Sequence, residues 1–391
     1  MINPCSERAM RFTESVIREM TRVCLKHQGV NLAQGFPDFP APAEIKEAAI
    51  RAIQGDYNQY AITWGAPVLR QAIAEKFAWY NGLTVDPETE ITVCCGSTES
   101  MIASLMAIVN PGEEVIVFEP FYENYGPDTI LCGSQPVFVT LHEPDWHFDE
   151  HELTRAFNNQ TKAIVINTPN NPTGKVFSRE ELQFIADLCL KWGVVAVTDE
   201  IYEHILFDGA EHTSLASLPG MRNQTITINS ISKTYSLTGW RVGWAIASPR
   251  LTASIRKVHD FLTVGAPHPL QEAAAAALRM GRSYYNTLAR EYQEKRDYFA
   301  GVLQDVGFRV YSPRGAYYIM TDVGHLGVSD GTAFSLDLVE RGGVATVPGS
   351  SFYNTPSSGA SKVRFCFPKK MDTLKKAAEK LKKFKMPKGL H

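Results

Sequence analysis

Seven short apolar runs between residues 91 and 247 constrain this chain more than any other feature of it. They are Ile91–Cys94, Glu114–Phe118, Pro136–Thr140, Ala163–Asn167, Val194–Thr198, Thr225–Asn229 and Val242–Ala247. Within most of them valine and isoleucine are not interrupted by charged residues. Such runs suit strands covered on both faces, which occur mainly in parallel sheets. Helical patterns lie between them. Ser97–Val109 is one, and residues 179–192 place Leu182, Ile185, Ala186, Cys189 and Leu190 along one stripe. The expectation is an α/β fold whose large domain, residues 46–285, holds a mostly parallel seven-stranded sheet flanked by helices.

After residue 285 the pattern changes. A charged helix over 286–305 is followed by strand-like Phe308–Tyr311, Tyr317–Thr321 and Lys362–Phe367. A last helix carries Leu374, Ala377, Ala378, Leu381 and Phe384 on one face and lysines elsewhere. Residues 286–391 therefore read as a smaller α+β domain, with residues 1–45 joining it.

Composition removes several function classes. A chain that is 44% hydrophobic is not a disordered one. A net charge of −3 offers no basic field for nucleic acid, so the C-terminal lysines read as a solvated helix face. Seven cysteines form no C-x-x-C pair, which predicts reduced thiols and a cytoplasmic setting. No signal-peptide pattern opens the sequence and no apolar stretch reaches the ~18 residues of a membrane span. Fingerprints such as the P-loop, G-x-G-x-x-G and H-E-x-x-H are absent. The ligand-rich segment His142–His151 has irregular spacing and reads as a polar loop in which Asp149 caps a helix, so no metal is expected.

Chemistry concentrates where the predicted strands end. In an open α/β sheet, ligands bind beyond the carboxyl ends of the strands. Those ends carry Gly96-Ser97-Thr98, Glu119-Pro120-Phe121-Tyr122, Asn170-Asn171-Pro172-Thr173-Gly174, Asp199-Glu200-Ile201-Tyr202 and Ser230-Ile231-Ser232-Lys233. Together they supply an amine, a carboxylate, a phenol, an aromatic plate, an amide and phosphate ligands. That inventory suits pyridoxal phosphate, which needs a lysine, an acid beside its pyridine nitrogen and a phosphate anchor. A helix start at Ser97-Thr98 offers backbone N–H groups to phosphate, and Arg241 offers a bidentate grip.

The run Ser230–Gly243, SISKTYSLTGWRVG, closely resembles the lysine motif of the class I/II pyridoxal-phosphate-dependent aminotransferases, fold-type I enzymes related to aspartate aminotransferase. Asn31–Pro37, Gln59-Tyr60, Asn170–Gly174, Asp199–Tyr202 and Val363-Arg364-Phe365 agree with the same family in order and spacing. The resemblance implies an enzyme that moves an amino group from an L-amino acid to a 2-oxo acid by a ping-pong mechanism. It also implies roles. Lys233 matches the Schiff-base lysine that shuttles the substrate proton. Asp199 matches the acid beside the pyridine nitrogen, and Tyr202 the phenol bonded to the cofactor's O3′. Asn171 matches the amide touching O3′ and the substrate carboxylate. Tyr122 matches the aromatic plate, a place for which Phe121 and Tyr125 compete. Ser97, Thr98, Ser230, Ser232 and Arg241 match the phosphate cup. Arg364 matches the clamp on the substrate α-carboxylate, and Gly35 a turn beside it.

Tyr60 matches a residue that reaches the phosphate of the neighbouring subunit, which implies a homodimer. A carbon–sulfur β-lyase, or a related lyase working through a Cα carbanion, would share Lys233, Asp199 and Arg364 and is the alternative. The stretch Thr263–Gln271 lacks the second arginine of dicarboxylate-specific relatives. It also places small Val264 and Gly265 where kynurenine-specific relatives are bulky.

Overall fold

All seven apolar runs are strands in the computed structural model of the chain, which describes residues 4–387. In chain order the strands are β1 (Val30–Asn31), β2 (Ile91–Cys94), β3 (Glu114–Glu119), β4 (Gln135–His142), β5 (His147–Phe148), β6 (Thr161–Asn167) and β7 (Val195–Asp199). They continue with β8 (Thr225–Ser230), β9 (Gly243–Ile246), β10 (Arg309–Tyr311), β11 (Tyr318–Asp322), β12 (Val344–Ala345), β13 (Val347–Pro348) and β14 (Lys362–Cys366). The large sheet has the order β2-β9-β8-β7-β6-β3-β4-β5. It contains eight strands where seven are expected, because β5 adds a two-residue antiparallel edge to β4.

Strand directions decide where the polar ends meet. β4, β3, β6, β7 and β8 run parallel, while β9 is antiparallel to both β8 and β2. Six strands therefore end on one edge, and β9 begins there. Gly243 is paired with both Cys94 and Ser230, so the start of β9 stands between the ends of β2 and β8. That topology carries Arg241 to the start of the helix Ser97–Ile108.

The continuous apolar runs are explained by two covered faces. Val115 and Val117 pack in one core with Met101, Leu105 and Ile255. Ile116 and Phe118 pack in another with Leu182, Ile185 and Cys189 of the helix Arg179–Trp192. Each such side chain contributes about 1.5–3 kcal/mol when fully buried. Ser178 and Glu181 close the start of that helix with a reciprocal capping box. Asp149 caps the helix Glu150–Ala156 through the N–H groups of His151 and Glu152, as its position in the polar loop predicts.

The second sheet is antiparallel, β10-β11-β14-β13, and β13 is a strand the sequence reading does not anticipate. The helices Arg282–Asp305 and Met371–Lys383 pack on it through Phe299, Leu303, Leu374, Ala377 and Leu381. β1 pairs in parallel with β12. The two sheets meet where Gly174 O accepts the N–H groups of Arg314 and Gly315, each at 2.9 Å. A Cβ on Gly315 would collide with Pro169, so this junction requires glycine. It sets Tyr318 on β11 within reach of Tyr202.

Candidate active site

A cleft open to solvent lies beyond the carboxyl ends of the large sheet. Ser97, Thr98, Tyr122, Asn171, Asp199, Tyr202, Ser232, Lys233 and Arg241 line it, nine of the thirteen residues singled out from sequence. Gly35, Tyr60, Ser230 and Arg364 do not line it directly.

At one end of the cleft the helix Ser97–Ile108 begins at Gly96 with no side-chain cap. Its first N–H groups therefore face the cleft as donors for an anion. Gly96 has φ +85°, and a Cβ there would strike the Arg241 guanidinium. Arg241 itself sits at φ +54°, with Nη1 donating to Thr238 O at 2.9 Å and Nη2 to Cys95 O at 3.3 Å. The Ser232 hydroxyl is buried with no partner among the described residues. Ser230 departs from expectation. Its hydroxyl accepts the N–H of Ser232 at 3.2 Å, so it shapes the loop from beneath and does not line the cleft.

Lys233 and Asp199 form the middle. Burial pushes the Lys233 amine down to about 8, Asp199 pulls it up, and Arg241 and Arg364 push it down again. About a tenth of the amine is thus neutral at pH 7, far more than for an ordinary lysine, as a nucleophile and proton carrier requires. Burial raises the Asp199 carboxyl to about 6, opposed by the Tyr125 hydroxyl, the Ile201 N–H and Lys233. Asp128, also lining the cleft, has no compensating partner, and burial raises it to about 8. Of these two acids, Asp199 is the one that is ionised at pH 7.

Tyr125 was a competitor for the aromatic plate, and the structure gives it a different task. Its hydroxyl donates to Asp199 Oδ2 at 2.8 Å. Phe121 stacks on Phe138 in the core at 5.2 Å between ring centroids. Tyr122 also lines the cleft, its ring edge-on to that of Tyr125 at 5.8 Å between centroids. Asn167, also unanticipated, donates to Asp199 O at 2.9 Å and accepts the Asn171 N–H at 2.6 Å.

The other end is built on the second sheet. Arg364 is fully buried on β14, with Nη1 donating to Asn171 Oδ1 at 2.9 Å and Nη2 to Ala33 O at 2.5 Å. Its guanidinium carbon lies 4.3 Å from the Tyr318 ring centroid and 4.8 Å from that of Phe352. Arg364 Nε has no partner among the described residues, which leaves that N–H free to donate. Tyr318, missed in the sequence, lines the cleft and meets the Tyr202 hydroxyl at 3.0 Å. A Cβ on Gly35 would collide with the Tyr318 ring, so the backbone passes close to Tyr318 there. The only available signal for Tyr318 was its place in a strand-like run. Tyr60 is 83% exposed and does not line this chain's cleft.

These features fit pyridoxal phosphate: an uncapped helix start, an orphaned Ser232 hydroxyl and Arg241 at one end, and an ionised acid and a poised amine in the middle. The clusters able to ligate a metal among the described residues, Cys94–Glu99–His259 and Glu200–Glu203–His212, do not include the His142–His151 segment.

Comparison with known proteins agrees. Residues 27–381 match the family described as aminotransferase class I and II. The chain is 37% identical to human kynurenine–oxoglutarate transaminase 1, over 94% of this chain and 95% of that protein. The solved structure of N-succinyldiaminopimelate aminotransferase from Mycobacterium tuberculosis superimposes with a TM-score of 0.94 at 38% identity, covering 97% of this chain and 99% of that one. A methionine aminotransferase from Escherichia coli superimposes with a TM-score of 0.93 at 32% identity, covering 98% and 100%. The chain belongs to the class I and II aminotransferase family and is a pyridoxal-phosphate-dependent aminotransferase.

Proposed function

We propose that the residues of the cleft divide the transfer reaction as follows. Ser97, Thr98, Ser232, Arg241 and the open helix start hold the cofactor phosphate. Tyr122 stacks on its ring, while Asn171 and Tyr202 bind its phenolic oxygen. Asp199 stays ionised beside the pyridine nitrogen, and Ser230 supports the cup through Ser232. When bound, the cofactor supplies an electron sink for the carbanion at the substrate Cα. Arg364 orients the substrate by its α-carboxylate, using the free Nε together with donors now resting on Asn171 and Ala33. Lys233 Nζ takes the proton from the substrate Cα and would deliver it to the cofactor carbon on the other side of the amine nitrogen. A donor amino acid leaves as its 2-oxo acid, and a second 2-oxo acid takes up the amine, so nitrogen and protons balance over the two halves.

The observation carrying this reading is a poised amine, Lys233, held between a buried acid and a buried arginine in one cleft. Donor alone should yield one 2-oxo acid per site and then stop, and a 2-oxo acid should restart turnover. Continuous product from donor alone, or pyruvate from a β-substituted alanine, would instead identify a lyase.

The reading includes a homodimer in which Tyr60 completes the partner's phosphate site. Tyr60, Tyr57, Ile62, Phe261, Leu262 and Val264 are all exposed, Phe261 to 92%. Tyr57 packs edge-on against His268 at 5.4 Å, so the two segments share one surface. Such a patch suits an interface. Residues 286–391 with 1–45 are read as the smaller domain, a division supported by the β1–β12 pairing. A cytoplasmic setting is supported by the buried thiols of Cys24, Cys94, Cys189 and Cys366. Among the described residues no helix is long and apolar enough to cross a membrane.

Donor choice follows the same logic. No Arg or Lys lies in Thr263–Gln271, so a strict dicarboxylate preference is not expected. The similar human enzyme is named for kynurenine and the Escherichia coli one for methionine. A panel of such uncharged donors against 2-oxoglutarate and pyruvate tests the preference.

A further inference from the structure

Beneath the phosphate end lies a buried pair that the reaction does not use. Glu99 and His259 are 7% and 0% exposed. His259 Nδ1 is 2.6 Å from Glu99 Oε1, and Nε2 is 2.7 Å from Thr63 O. The Thr63 carbonyl can only accept, so Nε2 carries a proton, and Nδ1 shares one with Glu99. The Cys95 N–H and the Thr263 hydroxyl both donate to Glu99, which favours its carboxylate form with an imidazolium beside it. Burial alone would raise Glu99 and lower His259, but their mutual hydrogen bond and charge outweigh it and shift each the other way.

The pair touches both parts of the proposed phosphate site. Glu99 Oε2 accepts the N–H of Cys95, and the Cys95 carbonyl accepts from Arg241 at 3.3 Å. Cys95, which leads into Gly96, is thus held at its N–H by Glu99 and at its carbonyl by Arg241. Thr263 adds a bond to Glu99 Oε1 at 2.8 Å. On the other side, Thr63 belongs to the segment that carries Tyr60. Three further contacts pin that segment. His268 Nδ1 lies 3.0 Å from Gln59 O, Ala66 N–H donates to Gln271 Oε1 at 2.7 Å, and Val93 N–H donates to Trp64 O at 3.0 Å. Tyr60 is consequently an exposed ring on a fastened backbone.

We propose that Glu99 and His259 are positioning residues that tie this subunit's phosphate loop to the segment it presents to its partner's phosphate. The inference rests on the homodimer reading given above. It makes the two cofactor sites of a dimer mechanically linked, because the same pair holds the loop of one and the donor to the other. Neither residue touches substrate or reacting atoms.

The test is a double-mutant cycle on cofactor retention by the holoenzyme, read as pyridoxal phosphate released on dialysis. His259→Asn keeps an amide where Nδ1 stood, facing Glu99, and loses Thr63. Tyr60→Phe removes the phenol offered to the partner. Each single variant should weaken retention ~10-fold, about the worth of one hydrogen bond to a charged group. The double variant should also lose ~10-fold rather than ~100-fold, because His259 acts through Tyr60. In His259→Asn alone, KM for the amino donor should stay within about twofold of wild type. Additive losses, or unchanged retention in His259→Asn where Tyr60→Phe is weakened, would overturn the link. Unchanged retention in Tyr60→Phe would overturn the homodimer reading instead, with a loss in His259→Asn then marking an effect confined to its own loop. Should His259→Asn not fold, Glu99→Gln carries the same cycle, since an amide offers one acceptor where the carboxylate offers two.

Discussion

The two ends of the cleft, proposed to hold phosphate and carboxylate, are built differently. The phosphate end is made almost wholly from the large sheet: the start of the helix Ser97–Ile108, the loop after β8 and the approach to β9. Its arginine, Arg241, is exposed and bonded to backbone carbonyls. The carboxylate end is assembled from three distant segments. Arg364 comes from β14, Asn171 from the loop after β6, and Ala33 from the segment after β1. Arg364 is fully buried between two aromatic rings. A cofactor that stays needs donors that are always present, and an open helix start provides them. A substrate that must be placed to a fraction of an ångström needs a guanidinium whose orientation is already fixed.

The largest effect belongs to the residue between the ends. Lys233→Ala should depress transamination ~10⁴-fold or more, because it removes the group that moves the Cα proton. Single-turnover rates with a donor amino acid measure it, and a loss under tenfold would take the proton transfer away from Lys233.

Next comes the contrast itself. Arg364→Lys should raise KM for donor and acceptor together and lower kcat by ~100-fold, since charge persists while the planar fork and alignment are lost. Cofactor retention should hold. Arg241→Ala should do the converse, releasing cofactor ~10- to 100-fold more readily with donor KM little changed. Loss of cofactor in the first variant with substrate KM intact would mean that the two ends had been exchanged.

A smaller effect tests the middle. Tyr125→Phe removes the hydroxyl that holds the Asp199 carboxyl down against the upward push of burial. The carboxyl should therefore protonate at higher pH, moving the acid limb of kcat upward and lowering kcat ~10-fold at neutral pH. An unmoved acid limb would show that Tyr125 merely packs there.

The mildest test is chemical. In the cofactor-free enzyme, acylation of Lys233 should rise with pH and level off above about 8, where its amine is neutral. Exposed lysines should level off only above ~10. Competitive labelling followed by peptide mass spectrometry reads both, and a Lys233 profile like the others would mean that its amine is fully hydrated.

Much of the phosphate end was legible in the sequence because it is local. Gly96-Ser97-Thr98 adjoins a predicted strand, and Ser232, Lys233 and Arg241 lie within one run. Ser230 shows the limit of that legibility. The run names a serine at the strand end, but only the packed loop shows its hydroxyl turned to the Ser232 N–H. Tyr125 and Tyr318 show the same limit at longer range. Each is an ordinary aromatic in its own segment, and each acquires a polar partner 74 or 116 residues away.

The order of strands and helices and the nature of the cofactor were written in residue patterns along the chain. Those patterns work because strand burial and cofactor chemistry demand particular residue types at short spacing. Tertiary structure alone decided that β9 runs backward to bring Arg241 beside Gly96. It likewise decided that Tyr125 governs Asp199, that Tyr318 lies between Tyr202 and Arg364, and that His259 joins Glu99 to Thr63. These contacts cross 100 residues or more in most cases, and their geometry is set by how helices and sheets pack, which no local pattern encodes.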